Sequence, residues 1–279
     1  MKKLVFVLFL FSAMVNAQVK APQPSPFGKL EQKVGLTDIT VEYSRPSMRG
    51  RTIFGDLVPY DKMWRTGANE NTKITFSDDV VIKGKKLKKG TYAIFTIPME
   101  ENWEVIFYSD VSNWGLPKQW DESKVALKVE ANTDSMPFDM ETFTIVIDEL
   151  TNSSAVLNFL WESTVAYLPI EVPTDEMVME SIKTTMKANP TSNDYYAAAN
   201  YYFEEVKDMK QSLEWINKAI DMQEETPFWM LRRKSLIQAK MGMKKDAIKT
   251  AELSLKSAQK AGNDDYVKMN EESIEEWSK

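Results

Sequence analysis

The sequence predicts an antiparallel β-sandwich of about nine or ten strands, followed by an α-helical domain of tetratricopeptide-like hairpins. Up to about Pro173, apolar and polar residues alternate with a period of two, as they do in half-buried strands. Beyond that position the period becomes helical, and a weak repeat of about 34–35 residues follows. We therefore predict a signal peptide at residues 1–17, a β-sandwich domain at 18–173 and a helical domain at 174–279.

The N-terminal residues have the composition of a signal peptide. Two lysines precede an apolar stretch, from Leu4 to Met14, that is too short to span a membrane. Small residues at Val15 and Ala17 favour cleavage before Gln18, and no cysteine follows that a lipid could modify. We expect an exported protein, in the periplasm or, as the alternative, outside the cell. A retained anchor helix is the alternative for the leader itself.

Alternating residues and turn signals predict the strands of the first domain. Residues 39–43 alternate between apolar and polar side chains, as expected when one face of a strand is buried. The runs at 91–97 and 103–108 are rich in aromatic and β-branched residues and flank a turn-forming segment, which predicts a hairpin. Tight turns are also predicted at residues 83–85 and 151–154.

Capping residues predict the helices of the second domain. Thr174 can cap a helix whose first turn is acidic, the sign that the helix dipole favours. Residues 191–193 offer caps for the next helix. The segment at 208–213 corresponds to the one at 242–248, which indicates the repeat. We interpret the domain as two tetratricopeptide-like hairpins and a terminal helix ending near Trp277, with an ordinary helical bundle as the alternative.

The chain contains no histidine and no cysteine, and these absences exclude many functions. Catalytic triads, imidazole bases and dithiol redox chemistry require one or the other. Zinc, copper and iron sites usually use them as ligands. The chain has no nucleotide-binding fingerprint, and its formal net charge of −6 at pH 7 disfavours nucleic acid. We expect no cofactor, no metal, no nucleic-acid partner and no membrane span after signal cleavage.

Arginine is concentrated in one short window. Arg45, Arg49, Arg51 and Arg65 lie there, and the other two arginines of the chain are adjacent, at 232–233. The guanidinium group is a rigid fork of donors that suits carboxylate, phosphate or carbonyl oxygens, which lysine cannot imitate. The window therefore predicts either a surface for a small anionic or carbonyl ligand, or an internal brace.

The candidate ligand-binding residues all lie in the loop expected between the second and third strands. They are Arg45, Arg49, Arg51, Tyr60, Trp64, Arg65, Asn69 and Glu70. Glycines in the same window would let the backbone approach a ligand. Under the alternative, the arginines pair with the carboxylates of the loop itself, at Asp56, Asp61 and Glu70, and brace the loop against the sheet.

Carboxylates also predict an alternative function, because a hydrolase or lyase acting on envelope glycans or another periplasmic substrate needs neither histidine nor cysteine. This hypothesis requires carboxylates to converge with an arginine in one cleft. The carboxylates considered are Glu42, Asp56, Asp61 and Glu70. Trp103, Trp114 and Trp120 could stack on sugar rings, but we expect them to pack in the core or at its rim.

Several motifs carry a resemblance to a known family. They are Ser44-Arg45-Pro46, the runs 49–55 and 57–60, the run from Trp64 to Glu70 with Thr72, the run 90–98, and Asn113-Trp114-Gly115. Together they resemble an exported, Bacteroidetes-type family known as domain of unknown function 2911, over residues from about 22 to 169. The resemblance implies the fold and export, but no activity and no catalytic residue. The helical region lies outside it.

These observations predict an exported binding or assembly module rather than an enzyme. The arginine-rich loop would be its ligand surface. The helical domain would be the surface that contacts a protein partner, since helical repeat arrays commonly bind peptides on one face.

Overall fold

The computed structural model describes residues 21–279, so the predicted signal peptide at residues 1–17 and its cleavage site lie outside the described residues. The chain divides into two compact units, the first ending at Thr174 and the second running from Asp175 to Lys279. Within the described residues, nine antiparallel strands are followed by six α-helices. The predicted fold class, an antiparallel β-structure followed by packed helices, is confirmed.

The strands form one open antiparallel sheet. They are β1 (Phe27–Val34), β2 (Thr37–Ser44), β3 (Thr72–Phe76), β4 (Val80–Ile82), β5 (Lys85–Leu87), β6 (Gly90–Pro98), β7 (Asn102–Tyr108), β8 (Val125–Asp148) and β9 (Ser154–Glu171). Their order across the sheet is β1-β2-β3-β6-β7-β8-β9-β4-β5, so β1 and β5 are its two edges. The predicted hairpin of residues 91–97 and 103–108 is the β6–β7 pair.

Local sequence explains the strands and their turns. In β2, Ile39, Val41 and Tyr43 are buried while the residues between them are partly exposed, as the alternation predicts. Between β4 and β5, Lys83 and Gly84 have φ of 50° and 74°. Positive φ at both positions is what a two-residue hairpin requires, because its twist then matches that of the strands.

The core depends on the two longest strands, β8 and β9. Their pairing shifts register between Ser135 and Thr144, so each strand has two differently paired parts. Buried residues from β2, β3, β7 and both parts of β8 and β9 belong to a single hydrophobic cluster, in which Trp103 and Trp161 are 1% exposed. The sheet therefore folds on itself around one apolar face, the arrangement of a sandwich.

The helices are α1 (Thr174–Thr185), α2 (Ser192–Glu204), α3 (Met209–Asp221), α4 (Phe228–Lys240), α5 (Lys244–Ala261) and α6 (Asp264–Ser278). Successive helices from α2 to α6 pack on one another. Thr191 caps α2, as the capping residues at 191–193 predicted, and it also forms a capping box with Asp194. Within residues 21–279, no helix is both long and apolar enough to cross a membrane.

Small side chains let the helices approach closely. Ala219 in α3 and Ser254 in α5 are separated by about one length of the predicted repeat, and both are fully buried. The Ser254 hydroxyl donates to the Phe228 carbonyl at 2.8 Å. The helices α3 and α5 begin at corresponding positions of the repeat. The assignment of the helical unit to the tetratricopeptide class stays a prediction.

Gly35, in the turn between β1 and β2, should not tolerate a side chain. Its φ is +55°, and a Cβ there would collide with Thr174 Oγ1 and with the Asn152 carbonyl. Gly35→Ala should therefore lower the free energy of unfolding by more than the roughly 1–2 kcal/mol that a left-handed backbone alone costs. Gly84→Ala is the matched control, since the space around Gly84 is open. Equal melting temperatures of the two variants would contradict this account.

Candidate functional site

The arginine-rich segment is a long loop, residues 45–71, between β2 and β3. Isolated bridges tie it to the sheet, one from Ser47 to Thr142 and another from Trp64 to Thr96. Most of its backbone N–H groups have no strand partner. Such groups need other acceptors when they are buried, so the side chains and carbonyls around the loop decide its conformation.

Two carboxylates at the register shift between β8 and β9 hold the loop by its backbone. Glu141 accepts a hydrogen bond from the Arg49 amide at 2.9 Å. Glu162 accepts from the amides of Ile53 and Phe54 at 3.2 and 3.3 Å. Hydrogen bonds to an ionised acceptor are stronger than neutral ones. Neither glutamate was predicted, because both lie far from the loop in sequence.

Arg45 fastens the start of the loop to β8. Its Nε donates to the Phe143 carbonyl at 3.1 Å, and its Nη2 donates to Thr144 Oγ1 at 2.7 Å. The guanidinium also lies 6.0 Å from the centre of the Tyr43 ring. These contacts make Arg45 an internal brace.

Arg49 and Arg51 donate to main-chain carbonyls. Arg49 Nη2 donates to Pro24 O at 2.9 Å. Arg51 donates from Nε to Met48 O at 2.8 Å and from Nη2 to Ser47 O at 2.7 Å. These bonds order the loop without neutralising either arginine.

The prediction that the loop arginines pair with Asp56, Asp61 and Glu70 is wrong. Within residues 21–279, none of these carboxylates forms an ion pair with a loop arginine, and Glu70 pairs with Lys73 at 3.2 Å. Main-chain carbonyls and a threonine hydroxyl accept the hydrogen bonds of Arg45, Arg49 and Arg51 instead. The loop is braced, and within residues 21–279 these arginines reach main-chain carbonyls and a hydroxyl rather than a carboxylate.

Arg65 differs from the other three arginines. In the described part of the chain its guanidinium has no hydrogen-bond or ion-pair partner, and its Nε is buried. The side chain lies against the Gly115 backbone, where a Cβ would be 2.9 Å from Arg65 Nη1. A buried donor without an acceptor costs about 1–3 kcal/mol, so Arg65, unlike the other three arginines of the loop, retains an unfilled donor.

Arg49, Arg51 and Arg65 line one cleft of about 310 Å³, which we call the arginine cleft. Its other lining residues are Pro24, Ser25, Pro46, Ser47, Leu57, Val58, Trp64, Gly67, Ala68 and Trp161. No carboxylate occurs among these residues of the described chain. Three guanidinium groups without a lining anion create a field that favours a negative ligand.

A second cleft, of about 300 Å³, adjoins the first, and we call it the amide cleft. Its lining residues are Gln23, Ser25, Phe27, Glu42, Tyr43, Ser44, Asn69, Glu70, Asn71, Lys73 and Trp114. Ser25 lines both clefts. Between them, Asn69 Nδ2 donates to the Ser25 carbonyl and to Ser44 Oγ, each at 3.2 Å.

Trp64 and Tyr60 make mainly packing contacts. The Trp64 ring stacks on Trp161 with centroids 5.7 Å apart, and its Nε1 donates to Gly67 O at 3.2 Å. The Tyr60 ring lies over Gly55 and packs against the core. Burial raises the pKa of Tyr60, so its phenol stays protonated near neutral pH and is a poor base.

The structure divides the predicted site residues into three groups. Arg49, Arg51, Trp64 and Arg65 line the arginine cleft, Asn69 and Glu70 line the amide cleft, and Arg45 and Tyr60 line neither. Asn71 was not predicted at all. Trp114 was expected to pack in the core or at its rim but is 71% exposed, whereas Trp103 is buried as expected. The flanking Asn113 and Gly115 were the available signal that Trp114 lies in an exposed turn.

The carboxylates do not form the site that a hydrolase would require. Asp56 and Asp61 are exposed and line neither cleft. Glu42 and Glu70 both line the amide cleft, but its lining residues in the described chain include no arginine. Within residues 21–279, no group of three or more carboxylates could hold a metal ion.

The fold and the clefts define a class of protein: an open antiparallel sheet with ligand-sized clefts beside one long loop, followed by six helices. A family model described as "Protein of unknown function (DUF2911)" matches residues 25–170, which is more than half of the chain. The chain belongs to this family, as its motifs predicted. A search of the curated proteins gave no match, and neither did a search of the solved structures.

The brace assigned to Arg45 can be tested by substitution. Arg45→Gln should lower the free energy of unfolding by about 1–3 kcal/mol, because two hydrogen bonds from a charged donor to β8 are lost. Denaturant unfolding followed by tryptophan fluorescence measures the change. Arg51→Gln is the control and should cost less, since Arg51 is exposed and bonds only to nearby carbonyls. An Arg45→Gln variant as stable as the wild type would refute the brace.

Proposed function

We propose that the β-sheet unit is a ligand-binding module whose arginine cleft takes a small molecule with carboxylate, phosphate or carbonyl oxygens. Arg65 carries this proposal, because its guanidinium has no acceptor within residues 21–279 and lies in the wall of the cleft. Arg49 and Arg51 line the same space. A planar fork of N–H donors suits such oxygens.

The order of the loop also supports binding. Arg49 and Arg51 are already positioned by main-chain carbonyls, and the loop backbone is held by Glu141 and Glu162. A ligand would not have to order these groups itself, which lowers the entropic cost of binding. The volume of about 310 Å³ is at the lower end of the usual range for ligand sites, so the ligand should be small.

Arg65→Gln should abolish anion binding without harming the fold. The probes are citrate, succinate, pyruvate and inorganic phosphate, tested against the purified protein by thermal shift and then by calorimetry. A probe at 100 times its dissociation constant should stabilise the wild type by about 2.7 kcal/mol, a shift of a few degrees. The variant should lose that shift. Its own melting temperature should stay equal or rise, because an unpaired buried donor is removed.

Arg45→Gln is the matched control for this experiment. It removes the same charge from the same loop, but Arg45 does not line the arginine cleft. The variant should melt earlier and still respond to the anion. If no probe stabilises the wild type, or if the response survives Arg65→Gln, the proposed function is wrong.

We also propose that the helical unit contacts a protein partner through an acidic segment of that partner. On α4, Arg233 pairs with Glu204 at 2.8 Å and lies 4.5 Å from the Phe203 ring centre. Its neighbour Arg232 lies over the Trp277 ring, and its Nη1 is buried without a partner among the described residues. Burial, together with repulsion from Arg233, lowers the pKa of Arg232. A carboxylate from a partner would give this guanidinium an acceptor and would offset the repulsion from Arg233.

The helical proposal predicts a specific loss of binding. A fluorescein-labelled, glutamate-rich peptide should bind the protein in fluorescence anisotropy, and Arg232→Gln should weaken its affinity about tenfold or more, equivalent to about 1.4 kcal/mol. Lys245→Gln is the control, because Lys245 is exposed at the start of α5. Equal effects of the two substitutions would indicate general charge attraction and contradict the proposal.

The proposed location is the periplasm, with the extracellular space as the alternative. The support is the leader-like composition of residues 1–17 and the absence of cysteine from the chain.

A further inference from the structure

The amide cleft differs chemically from the arginine cleft. Among its lining residues in the described chain there is no arginine, and the one lysine, Lys73, is already paired with Glu70 at 3.2 Å. A second carboxylate, that of Glu42, lines the same wall. An anionic ligand would meet these carboxylates, and no unpaired cation occurs among the lining residues of the described chain to offset them. The cleft therefore favours an uncharged polar ligand.

An unpartnered amide lies in the wall of this cleft. Asn71 is 2% exposed, and neither its Oδ1 nor its Nδ2 has a hydrogen-bond partner within residues 21–279. Buried amides are nearly always bonded, so both groups call for a partner from outside the chain. One carboxamide places an acceptor beside two donors. Adjacent hydroxyl groups of a sugar complement this arrangement, because each hydroxyl both donates and accepts.

Two aromatic side chains of the cleft are unusually exposed. Trp114 is 71% exposed and Phe27 is 65% exposed, although both line the cleft. Large aromatic side chains bury much apolar area when something covers them, so leaving them in water forgoes that stabilisation. The apolar C–H face of a sugar ring is a fitting cover for such rings.

The loop that carries Trp114 is held in place by Asp110. The Asp110 carboxylate accepts hydrogen bonds from Lys124 Nζ at 2.8 Å and from the Ser112 amide at 3.1 Å. The hydrogen bond from Lys124 has the largest effect, and together these bonds hold the pKa of Asp110 far below its usual range. The carboxylate therefore stays ionised, and the contacts persist, to acidic pH. Gly115 is also covered by Arg65. Trp114 therefore lies on a loop whose conformation is held by hydrogen bonds.

We propose that the amide cleft is a binding site for a neutral saccharide. Trp114 and Phe27 pack against the sugar ring, and Asn71 hydrogen-bonds to adjacent hydroxyl groups. Asn69, already bonded to Ser25 and Ser44, forms the boundary with the arginine cleft. The site does not depend on an anion occupying the arginine cleft, because its polar and aromatic groups are its own.

The test uses three neutral probes, maltotetraose, cellotetraose and mannotetraose, at millimolar concentration with the purified protein. Tryptophan fluorescence and calorimetry should show saturable binding of at least one of them, with a change in emission from Trp114. Trp114→Ala and Asn71→Leu should each weaken that binding about tenfold or more. Asn71→Leu should keep or raise the melting temperature, because it replaces an unpaired buried amide with an apolar group of similar size.

The control is Trp229→Ala, which removes another exposed tryptophan, from α4, and should leave saccharide binding unchanged. If Asn71→Leu does not fold, Trp114→Ala still tests the proposal, because removing an exposed side chain should leave the fold intact. The proposal is overturned if none of the probes binds, or if binding is unaffected by Trp114→Ala. The probes are uncharged, so that failure would leave the anion test of the arginine cleft unaffected.

Discussion

The backbone N–H and C=O groups of the loop between β2 and β3 need hydrogen-bond partners, although the loop has no strand ladder. The partners that they have determine the conformation of the loop, and with it the two clefts. Three of the loop amides donate to the carboxylates of Glu141 and Glu162, which lie at the register shift between β8 and β9. Arg45 returns two hydrogen bonds to β8. The register shift that bends the long strands therefore does more than close the core, because it also supplies the acceptors that order the loop.

The choice of acceptors has an electrostatic consequence. Carbonyl oxygens fix Arg49 and Arg51 in position, whereas carboxylates would have cancelled their charge. Arg65 has no acceptor within the described residues, so the arginine cleft combines order with uncompensated charge. The adjoining amide cleft has the opposite character, with carboxylates, amides and exposed aromatic rings. Two clefts that share the wall residue Ser25 are thus suited to different ligand chemistries.

The fold could be predicted because its signals are local. Alternation at residues 39–43 and the caps at 191–193 depend on neighbours in the chain, and the motifs of the family lie in short runs. The roles of individual arginines could not be predicted, since Arg45 finds its partners in β8, far away in sequence. Residue type alone misled the prediction for Trp114, because a tryptophan is normally buried whereas its turn is exposed. Asn71 carries no local signal, because only the tertiary structure leaves its amide unpaired.

The central claim is that the loop is ordered before any ligand binds, and hydrogen–deuterium exchange of the ligand-free protein tests it most directly. The amides of Arg49, Ile53 and Phe54, held by the two glutamates, and that of Val58, bonded to Ile53 at 2.9 Å, should exchange slowly. Their protection should approach that of the neighbouring strands. Exchange at the rate of an unstructured peptide across residues 45–71 would contradict the account, because neither cleft would then exist without its ligand.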